Sequence, residues 1–408
     1  MNCRHCQAKL SQPFLDLGFA PPSNAYRTST QLDEPELSYP LRLSVCEQCW
    51  LVQAPAVARP ETLFGADYAY FSSVSSTWRE HARRYVVMIV NRLGLDTHSR
   101  VIEVAANDGY LLQYFLERGI PCLGIEPTEG TARAAQAKGI PVLMEFFGWA
   151  LGERLAAEGR QADLLIGNNV LAHVPDINDF VSGLKAALKP GGVVTMEFPH
   201  LLRLLQDNQF DTVYHEHYSY LSLRVVQRIF AAEGLTVVDV EELTTHGGSL
   251  RVYAVHAERG EPVAAQVGAV LHAEEKYGLG SSAVYRDFQV RADGVKNALL
   301  AFLLDCKRQG RKVVGYGAAA KGNTLLNYAG VKPDLLPWVA DAAPSKQGRY
   351  LPGSHIPIVH PEQIAAEQPD EVLILPWNLR EEISQQLALV REWGGRFVTA
   401  VPHLKVWT

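Results

Sequence analysis

The sequence lacks an excess of positive charge and long hydrophobic runs, and each absence excludes a class of protein. Its 408 residues include 38 Lys and Arg against 44 Asp and Glu, a formal net charge of −6, whereas a dedicated nucleic-acid-binding surface needs a basic excess. The longest apolar run, residues 85–90, is much shorter than the ~20 residues that span a membrane. Residues 1–6 contain no apolar segment of the secretory type. We therefore expect a cytoplasmic protein with no nucleic-acid or membrane partner.

Length and composition are those of an ordinary globular protein. Hydrophobic residues make up 47% of the chain and charged residues 20%, which is enough apolar material for buried cores. At about 150 residues per domain, the chain is long enough for two or three domains. We expect it to be a monomer or a dimer.

Cysteine is also scarce, but its distribution is informative. Four of the six cysteines form two C-x2-C pairs, Cys3 with Cys6 and Cys46 with Cys49. In a reducing cytoplasm such pairs favour zinc over disulfides, and four thiolates form a closed tetrahedral site with no open position for catalysis. We therefore predict a structural Zn²⁺ ion in a zinc ribbon whose 39-residue gap between the pairs holds an inserted loop. Redox-active or unrelated pairs are the alternative.

A strand, a tight loop and a helix are predicted over residues 99–117. The strand contains Glu103, and the loop that follows carries Ala105, Asn107 and Gly109. Glu126 ends the next predicted strand, at the distance where Rossmann-type folds hold a ribose-binding carboxylate. A pyrophosphate would need glycine where Ala105 and Asn107 stand, so a ligand without phosphates, such as S-adenosylmethionine, fits this loop better than NAD. These five residues are predicted to bind that cofactor.

Further strands follow in alternation with helices. One of them runs into the sequence Asn168-Asn-Val-Leu-Ala-His173, and Lys-Pro-Gly-Gly precedes the next, a pattern that resembles the fourth and fifth strands of class I methyltransferases. Ligands bind outside the carboxyl ends of parallel strands, so we expect the loops there to line one rim of the sheet. These loops are residues 105–109, 126, 168–173 and 197–200. Asn168 and Asn169 are therefore cofactor candidates, and Phe147 after the third strand is a candidate for stacking on adenine, although paired phenylalanines more often pack in a core.

Histidine and tyrosine are concentrated in one short run, Tyr214-His-Glu-His-Tyr-Ser-Tyr220. A polar surface loop or a core strand would account for it, and His215 with His217 would offer two metal ligands on one strand face. We favour acid–base chemistry, because an imidazole titrates near neutrality and a neighbouring carboxylate such as Glu216 tunes it. A neutral histidine beside tyrosine hydroxyls suits proton removal next to a carbonyl, with the hydroxyls stabilising the enolate.

A second strand–loop–helix unit is predicted over residues 311–327. Its Gly315-x-Gly317-x-x-Ala320 turn is Rossmann-like, and Lys321 follows directly. Backbone amides at a helix N-terminus together with a lysine can hold a pyrophosphate. An NAD site is the competing interpretation, but a methyl-donor domain needs a partner site for its acceptor, which favours a nucleotide-linked substrate here. The candidate substrate-binding residues are Tyr316, Gly317, Ala320, Lys321, Asn323 and Asp341.

Taken together, these motifs resemble the sugar C-methyltransferases of deoxysugar biosynthesis. The markers are the two C-x2-C pairs and the runs at residues 103–109, 169–173, 214–220 and 315–323. The resemblance implies an α/β protein of three parts. These are a zinc-ribbon-like domain at residues 1–66, a class I methyltransferase domain of Rossmann-like fold at residues 67–256, and a helical connector with a second Rossmann-like domain at residues 257–408.

The resemblance also implies an activity. Members of this family methylate carbon in nucleotide-linked 4-keto-deoxysugars, typically thymidine diphosphate sugars, with S-adenosylmethionine as the methyl donor. By motif, His217 corresponds to the catalytic base. The residues implied around the reacting carbon are Tyr214, Glu216 and His173, and Tyr68 resembles an active-site tyrosine at the junction with the zinc-binding domain. The C-terminal domain corresponds to the anchor of the nucleotide diphosphate, with Lys321 near the phosphates.

Two other functions fit parts of the sequence. The loop at residues 315–321 would also suit an NAD-dependent oxidoreductase or epimerase of nucleotide sugars, although the loop at residues 105–109 has the character of a turn for an unphosphorylated ligand. A zinc-ribbon interaction module with inactive α/β domains is the second alternative. The dense histidine–tyrosine run argues against that module, because its residues are suited to chemistry.

Overall fold

The computed structural model describes residues 1–57 and 71–408, whose strands form three β-sheets. The strands are β1 (Leu15–Ala20), β2 (Tyr39–Val45), β3 (Val52–Gln53), β4 (Val101–Val104), β5 (Cys122–Ile125), β6 (Val142–Leu143), β7 (Ala162–Asn168), β8 (Leu188–Pro199), β9 (Ser219–Tyr220), β10 (Leu235–Leu243), β11 (Ser249–His256), β12 (Val313–Tyr316), β13 (Val339–Ala340), β14 (Ile358–Val359), β15 (Glu371–Ile374), β16 (Arg396–Thr399) and β17 (Lys405–Trp407). Tyr68 lies outside the described residues.

Helices occur between most of these strands. They are α1 (Ser76–Leu93), α2 (Gln113–Leu116), α3 (Glu129–Ala137), α4 (Trp149–Ala157), α5 (Ile177–Ala187), α6 (Leu201–Gln206), α7 (Leu223–Ala232), α8 (Ala265–Tyr277), α9 (Ala283–Arg286), α10 (Phe288–Arg308), α11 (Ala320–Ala329), α12 (Glu362–Glu367) and α13 (Arg380–Gln386). No helix in the two described ranges combines the length and the apolarity needed to cross a bilayer.

Helix α1 shows how local sequence sets the ends of an element. The side chain of Ser75 accepts a hydrogen bond from the backbone N–H of Trp78 at 3.2 Å, which caps the first turn. The helix ends at Gly94, whose φ of 63° is a left-handed conformation that glycine adopts without steric cost. Its buried residues fall on one face and pack on the central sheet. That face carries Trp78 toward the candidate active site.

The central sheet has the order β10-β11-β8-β7-β4-β5-β6 within the described residues. Strands β4 to β8 run parallel to one another, whereas β11 is antiparallel to both β8 and β10. One face of the sheet packs on α1 and the other on α5 and α7, as in a doubly wound α/β sheet. The strand order reverses between β4 and β7, where such sheets bind ligands beyond the carboxyl ends of the strands. The expected central Rossmann-like domain is therefore confirmed.

The C-terminal sheet has the order β14-β13-β12-β15-β16-β17 among the residues described. All its pairs are parallel except β16 with β17. Its strand order reverses between β12 and β15, and residues 317–319 connect β12 to α11 at this position. Such a reversal is the ligand-binding position of an open α/β sheet. The expected second Rossmann-like domain is confirmed as well.

The N-terminal sheet combines strands from two distant parts of the chain. Strands β1, β2 and β3 pair antiparallel, and β3 then pairs with β9, so that Val52 lies opposite Tyr220. Since β9 is the end of the histidine–tyrosine run, this run joins the sheet of the zinc-ribbon-like domain. A continuous apolar core also connects this sheet to α6, α10 and α11, through Leu15, Leu205, Phe288 and Leu326 among others.

The structure differs from the sequence prediction at the beginning of β8. The sequence places the run Lys189-Pro-Gly-Gly192 before a strand at residues 193–198, but β8 begins at Leu188 and includes this run. Its register with β7 changes from the pair Ala162–Leu188 to the pair Leu164–Val193. The four residues between these pairs bulge out of the ladder, which is a position that Pro and Gly favour in strands.

Candidate active site

The loop after β4 follows the left-handed course of a glycine-rich turn, although only one of its three critical residues is glycine. Ala105, Asn107 and Gly109 have φ angles of 58°, 50° and 73°. Asparagine tolerates this conformation, whereas for alanine it costs roughly 1–2 kcal/mol. A Cβ at Gly109 would lie 2.4 Å from Cδ1 of Ile140 and 3.2 Å from Cβ of Ala135, and together with the positive φ this favours glycine there. Backbone strain of this kind is concentrated at functional sites, which supports a ligand-binding role for the loop.

Glu126 lies directly after β5 and binds this loop. Its Oε2 accepts the backbone N–H of Asn107 and its Oε1 that of Thr128, each at 2.9 Å. Each carboxylate oxygen has a second lone pair, so the same group can also accept hydrogen bonds from ribose hydroxyls. Glu103 of β4 is fully buried, and burial, followed by the charges of Asp108 and Glu126, raises its pKa well above the ordinary value. Glu103 therefore tends toward the neutral acid.

Asn168 and Asn169, at the end of β7, face different neighbours. Nδ2 of Asn168 donates to the hydroxyl of Tyr110 at 3.3 Å, on the side of the loop after β4. Nδ2 of Asn169 lies 2.9 Å from Nε2 of His246. Because an amide nitrogen only donates, Nε2 accepts and the imidazole proton is on Nδ1. Burial, with a smaller effect of the Lys321 charge, lowers the pKa of His246 to about 4, so this histidine is neutral.

Trp78 of α1 forms an aromatic wall beside these residues. Its ring is stacked on those of His81 and Tyr110, with centroid distances of 4.9 and 5.9 Å. It also meets the ring of His246 edge-on at 5.0 Å. The wall therefore connects α1 with Tyr110, directly after the loop that follows β4, and with the neutral His246.

Glu197 of β8 binds the residues behind this wall. Nε2 of His81 lies 2.9 Å from its Oε2, and Nη2 of Arg251 donates to the same oxygen at 2.7 Å. The hydroxyl of Thr245 donates to Oε1 at 2.9 Å. Burial alone would raise the pKa of Glu197, but His81 and Arg251 hold it at about 2. The charged carboxylate thus anchors Thr245, the chain neighbour of His246.

The imidazole of His217 is held in one tautomer. Its Nδ1 lies 2.9 Å from the carbonyl oxygen of Thr212, and because a carbonyl only accepts, Nδ1 carries the proton and Nε2 the lone pair. The rings of Tyr214, His173 and Tyr220 lie 4.0, 4.6 and 6.0 Å from that of His217. Burial, and then the neighbouring His173, lowers the pKa of His217 well below its ordinary value. His217 is therefore a neutral group that can accept a proton at Nε2.

The chain neighbours of His217 face other partners. Both oxygens of Glu216 lie 2.8 Å from Nδ2 of Asn24 in the N-terminal domain, and burial raises the pKa of Glu216 to about 7. The ring of His215 meets that of Tyr39 edge-on at 5.9 Å. Among the described residues, only the cysteine cluster brings three or more His, Cys, Asp or Glu ligand atoms close enough to share an ion. A metal site built on His215 and His217 is therefore not supported.

The loop after β12 repeats the arrangement seen after β4. Oδ2 of Asp341, directly after β13, accepts the N–H of Ala318 at 2.7 Å, and its Oδ1 accepts a second backbone N–H two residues further on at 2.8 Å. Gly317 has a φ of 88°, and a Cβ there would lie 2.4 Å from Cδ of Pro376. Helix α11 begins at Ala320, and within the described chain no side chain caps it. Its first N–H groups are therefore available to an anion such as a diphosphate.

The other predicted substrate residues face in different directions. Nδ2 of Asn323 donates to the carbonyl oxygen of Ser23 at 2.6 Å, which binds α11 to the N-terminal domain. Tyr316 is buried in the apolar core of the C-terminal sheet, so packing accounts for its side chain. Lys321 donates from Nζ to Oδ1 of Asn378 at 2.7 Å.

The four paired cysteines meet at one point of the N-terminal domain. The sulfur atoms of Cys3, Cys6, Cys46 and Cys49 all lie within 4.8 Å of one another, with 3.5 Å between Cys3 and Cys49 and between Cys6 and Cys46. Tetrahedral Zn–S bonds of about 2.3 Å put the sulfurs about 3.8 Å apart, so the cluster fits Zn²⁺. Nε2 of Gln53 also donates to Sγ of Cys3 at 3.3 Å. Four thiolates complete the coordination of the metal, which makes the site structural.

Most of the predicted site residues belong to one connected region. His173, four residues after Asn169, contacts His217 of the histidine–tyrosine run, and Asn168 contacts Tyr110 directly after the loop that follows β4. Phe147 differs, because its ring meets that of Phe180 edge-on at 5.4 Å and packs on the core of the central sheet. This contact favours core packing over adenine stacking. The roles of the individual residues stay predictions.

Three residues of this region escape prediction from the sequence: His246, Asp211 and Trp377. His246 has a left-handed φ of 55° and is followed by two consecutive glycines, which was the available signal. Asp211 and Trp377 carry no local signal, because their hydrogen bond, from Nε1 of Trp377 to Oδ2 of Asp211 at 2.7 Å, joins residues 166 positions apart.

Comparison with known protein families assigns each part of the chain. Residues 3–64 match the family described as "Putative zinc binding domain", and residues 78–240 match "Methyltransferase domain". Residues 244–402 match "C-methyltransferase C-terminal domain". The three matches follow the order of the zinc-ribbon-like, central and C-terminal parts predicted from the motifs.

The chain is also similar to individual proteins. The C-methyltransferase NovU of Streptomyces niveus is 36% identical over 371 residues, which cover 91% of this chain and 88% of NovU. The ubiquinone biosynthesis O-methyltransferase of Bordetella avium is 30% identical over 97 residues, 23% of this chain and 40% of that protein. Among solved structures, the magnesium protoporphyrin IX methyltransferase of Synechocystis with bound S-adenosylmethionine has a TM-score of 0.35 and 15% identity, and the match covers 50% of this chain and 100% of that one.

Replacing one cysteine of the cluster tests the metal site. We expect Cys46→Ser to lower bound zinc from about one ion per chain to a small fraction, because a hydroxyl is a poor substitute for a thiolate. The melting temperature should fall with it, since a structural metal contributes its binding free energy to folding. Metal analysis and thermal unfolding measure both effects.

The control is Cys122→Ser, which removes a partly buried thiol outside the cluster. This variant should keep its zinc. Equal zinc content in both variants and the wild type would contradict the four-thiolate site.

The buried carboxyl of Glu216 predicts a pH-dependent stability. Its pKa is about 7 in the folded protein against 4.5 ordinarily, so between these values only the folded state holds the proton. Wild-type protein therefore loses stability as the pH rises through this range, by at most about 3 kcal/mol, and Glu216→Gln does not. Urea unfolding at several pH values measures the difference in free energy of unfolding between the two proteins.

We expect Glu216→Gln to become more stable relative to the wild type as the pH rises from 4.5 to about 8. The control is Glu153→Gln, a change at an exposed residue of α4, whose difference from the wild type should not vary with pH. A difference for Glu216→Gln that is equally flat would show that its carboxyl titrates normally.

Proposed function

The chain belongs to the S-adenosylmethionine-dependent C-methyltransferase family, and from this premise we propose that it methylates a carbon atom next to the ketone of a nucleotide-linked 4-keto-deoxysugar. We expect the nucleotide to be thymidine diphosphate, because the sequence motifs resemble those of the sugar C-methyltransferases of deoxysugar biosynthesis. The proposal depends above all on one observation, the tautomer of His217. With Nδ1–H donated to the carbonyl of Thr212 at 2.9 Å, only Nε2 can take a proton from the substrate.

The protonation state of His217 suits the first step. A ketone acidifies the C–H bond beside it, and a neutral imidazole within hydrogen-bond reach can remove this proton. Burial keeps the pKa of His217 well below the ordinary value, so the ring is ready to act as a base at neutral pH. The proton passes from the substrate carbon to Nε2, and the electron pair of the C–H bond forms the enolate.

The methyl transfer itself requires orientation more than further acid–base chemistry. S-adenosylmethionine supplies the electrophilic methyl group, which forms a bond with the enolate carbon as its bond to sulfur breaks. The adjacent residues Asn168 and Asn169 connect the loop after β4 with His246, so donor and acceptor sites can lie side by side. Holding the reacting atoms ~3–3.5 Å apart supplies much of the rate enhancement.

The diphosphate of the substrate fits the start of α11. Uncapped N–H groups and the positive end of the helix dipole attract an anion there. Asn323 and Ser23 bind this helix to the N-terminal domain, and Asn24 next to Ser23 binds Glu216. The nucleotide end of the substrate would therefore extend from α11 toward the histidine–tyrosine run, with Glu216, Tyr214 and His173 around the sugar.

The alternatives have less support. An NAD-dependent nucleotide-sugar oxidoreductase that uses residues 315–321 gains no support from the relatives named above, which are methyltransferases. If the chain were only an interaction module, the fixed tautomer of His217 would have no function. Incubation with S-adenosylmethionine and a panel of thymidine diphosphate 4-keto-deoxysugars tests the proposal directly, with mass spectrometry to detect the added methyl group and deuterium uptake to locate the acidic carbon.

Replacing the base should separate chemistry from binding. We expect His217→Asn to lower kcat by ~100-fold or more, because it removes general-base catalysis, while the affinity for S-adenosylmethionine stays near that of the wild type. Steady-state kinetics on the accepted sugar and calorimetric titration of the methyl donor measure the two quantities.

The control is His272→Asn, which changes an exposed histidine of α8 and should leave both quantities unchanged. Undiminished turnover by His217→Asn would remove this residue from the mechanism.

A further inference from the structure

Lys321 is held by Asn378 and Trp377 rather than by the loop that precedes α11. Its Nζ lies 2.7 Å from Oδ1 of Asn378 and 4.8 Å from the ring centre of Trp377. Nε1 of Trp377 donates to Oδ2 of the buried Asp211 at 2.7 Å. The lysine therefore sits over an indole ring that is fixed to Asp211.

The ring of Trp377 lies next to the segment that carries His246, and the turn at residues 210–213 holds His217. A Cβ added to Gly247 would lie 2.5 Å from Cη2 of Trp377, so the ring touches the residue next to His246. Asp211 precedes Thr212, whose carbonyl oxygen holds Nδ1 of His217. Lys321 and His217 are thus supported by adjacent residues of one turn.

Helix α11 is fastened to this turn as well. The hydroxyl of Thr324, one helical turn after Lys321, donates to the carbonyl oxygen of Val213 at 2.8 Å. This bond fixes the position of the lysine relative to residues 210–213. The distance between the ammonium group and the histidines is therefore set by the packing of the C-terminal domain against the centre of the chain.

The ammonium group has hydrogen-bonding capacity to spare. Of its three N–H donors, one is accounted for by Asn378, and Lys321 forms no ion pair within 4.0 Å with any described residue. Its charge acts on both histidines, where it adds to the effect of burial and lowers the pKa of His217 and of His246. A positive charge near a base disfavours its protonated form, which keeps the base neutral.

We propose that the ammonium group of Lys321 binds the ketone oxygen of the substrate and stabilises the enolate that forms when His217 removes the adjacent proton. The inference rests on the proposed function and reassigns the lysine from the phosphates to the reacting centre. During the step, the proton leaves carbon for Nε2 of His217, negative charge builds on the oxygen, and Lys321 keeps its own proton while donating a hydrogen bond. When the carbon takes up the methyl group, the carbonyl is restored and the charge on the oxygen disappears.

The magnitude expected from such a group is large. A fixed hydrogen-bond donor aimed at a developing oxyanion in a site with little water is worth ~100–1,000-fold in rate. A lysine that binds phosphate would instead contribute to affinity for the nucleotide. The first role therefore affects the reaction rate and the second the affinity for the nucleotide. In either case the backbone N–H groups at the start of α11 remain available for the diphosphate.

The test compares Lys321→Met with the wild type in two measurements. The first is the rate of hydrogen–deuterium exchange at the acidic carbon of the accepted 4-keto sugar, at saturating sugar and without the methyl donor. The second is the affinity for thymidine diphosphate, measured by calorimetry. We expect the exchange rate to fall by ~100-fold or more, with an affinity for thymidine diphosphate within about threefold of the wild type.

The opposite pattern would overturn the inference. If Lys321→Met exchanges at the wild-type rate when saturated but binds thymidine diphosphate about tenfold or more weakly, Lys321 is a phosphate ligand. If the wild type itself neither exchanges nor methylates any sugar of the panel, the proposed function fails and the inference with it. A failure of the inference alone is recognised because the wild type is then active.

Two further variants guard against a trivial explanation. Lys307→Met removes an exposed lysine of α10 and should change neither measurement. In Lys321→Ala, added methylammonium should restore part of the exchange in proportion to its concentration, a rescue that a purely structural role of the lysine would not produce. If methylammonium does not restore exchange in a variant that still binds thymidine diphosphate, the ammonium group is not what stabilises the enolate.

Discussion

The hydrogen bond from Nδ1 of His217 to the carbonyl oxygen of Thr212 decides which ring nitrogen can accept a proton, and all three domains contribute to the geometry of that bond. Thr324 in the C-terminal domain holds the next carbonyl, that of Val213. The backbone N–H of Tyr218 donates to the carbonyl oxygen of Ala172 in the central domain, and β9 pairs with β3 of the N-terminal sheet. The histidine–tyrosine run is thus held by contacts with all three domains.

This arrangement gives the structural metal an indirect part in the site. Gln53 donates to Sγ of Cys3 and, within β3, pairs with Ser219 of β9. The N–H of Ala54 donates to the carbonyl oxygen of Tyr218 at 3.1 Å. A chain of short contacts therefore runs from the cysteine cluster to the segment that carries His217. A zinc ion without an open coordination position can still be needed for catalysis, because it stabilises the strand against which this segment is aligned.

In both Rossmann-like domains a carboxylate stabilises the loop after the first strand in the same way. In each, a carboxylate directly after the second strand accepts an N–H of the loop after the first strand and a second N–H two residues further along its own chain: Glu126 in the central domain and Asp341 in the C-terminal domain. These carboxylates hold the loop in its left-handed course, and Glu126 can do so even though alanine and asparagine replace two glycines. The two domains differ in the ligand they suit, because the uncapped start of α11 offers N–H groups to an anion.

The amino-acid sequence by itself determined the features that depend on neighbouring residues: most strands and the tight loops of both α/β units, the two cysteine pairs and the histidine–tyrosine run. Hydrophobic periodicity, turn residues and short spacings act over a few positions, so they can be read without a fold. Tertiary structure alone decided that His217 takes one tautomer, that Glu216 turns to Asn24, that Phe147 packs on Phe180, and that Lys321 lies over the ring of Trp377, which binds Asp211. Each of these depends on contacts between residues far apart in the chain, whose distances are set only when the three sheets pack together.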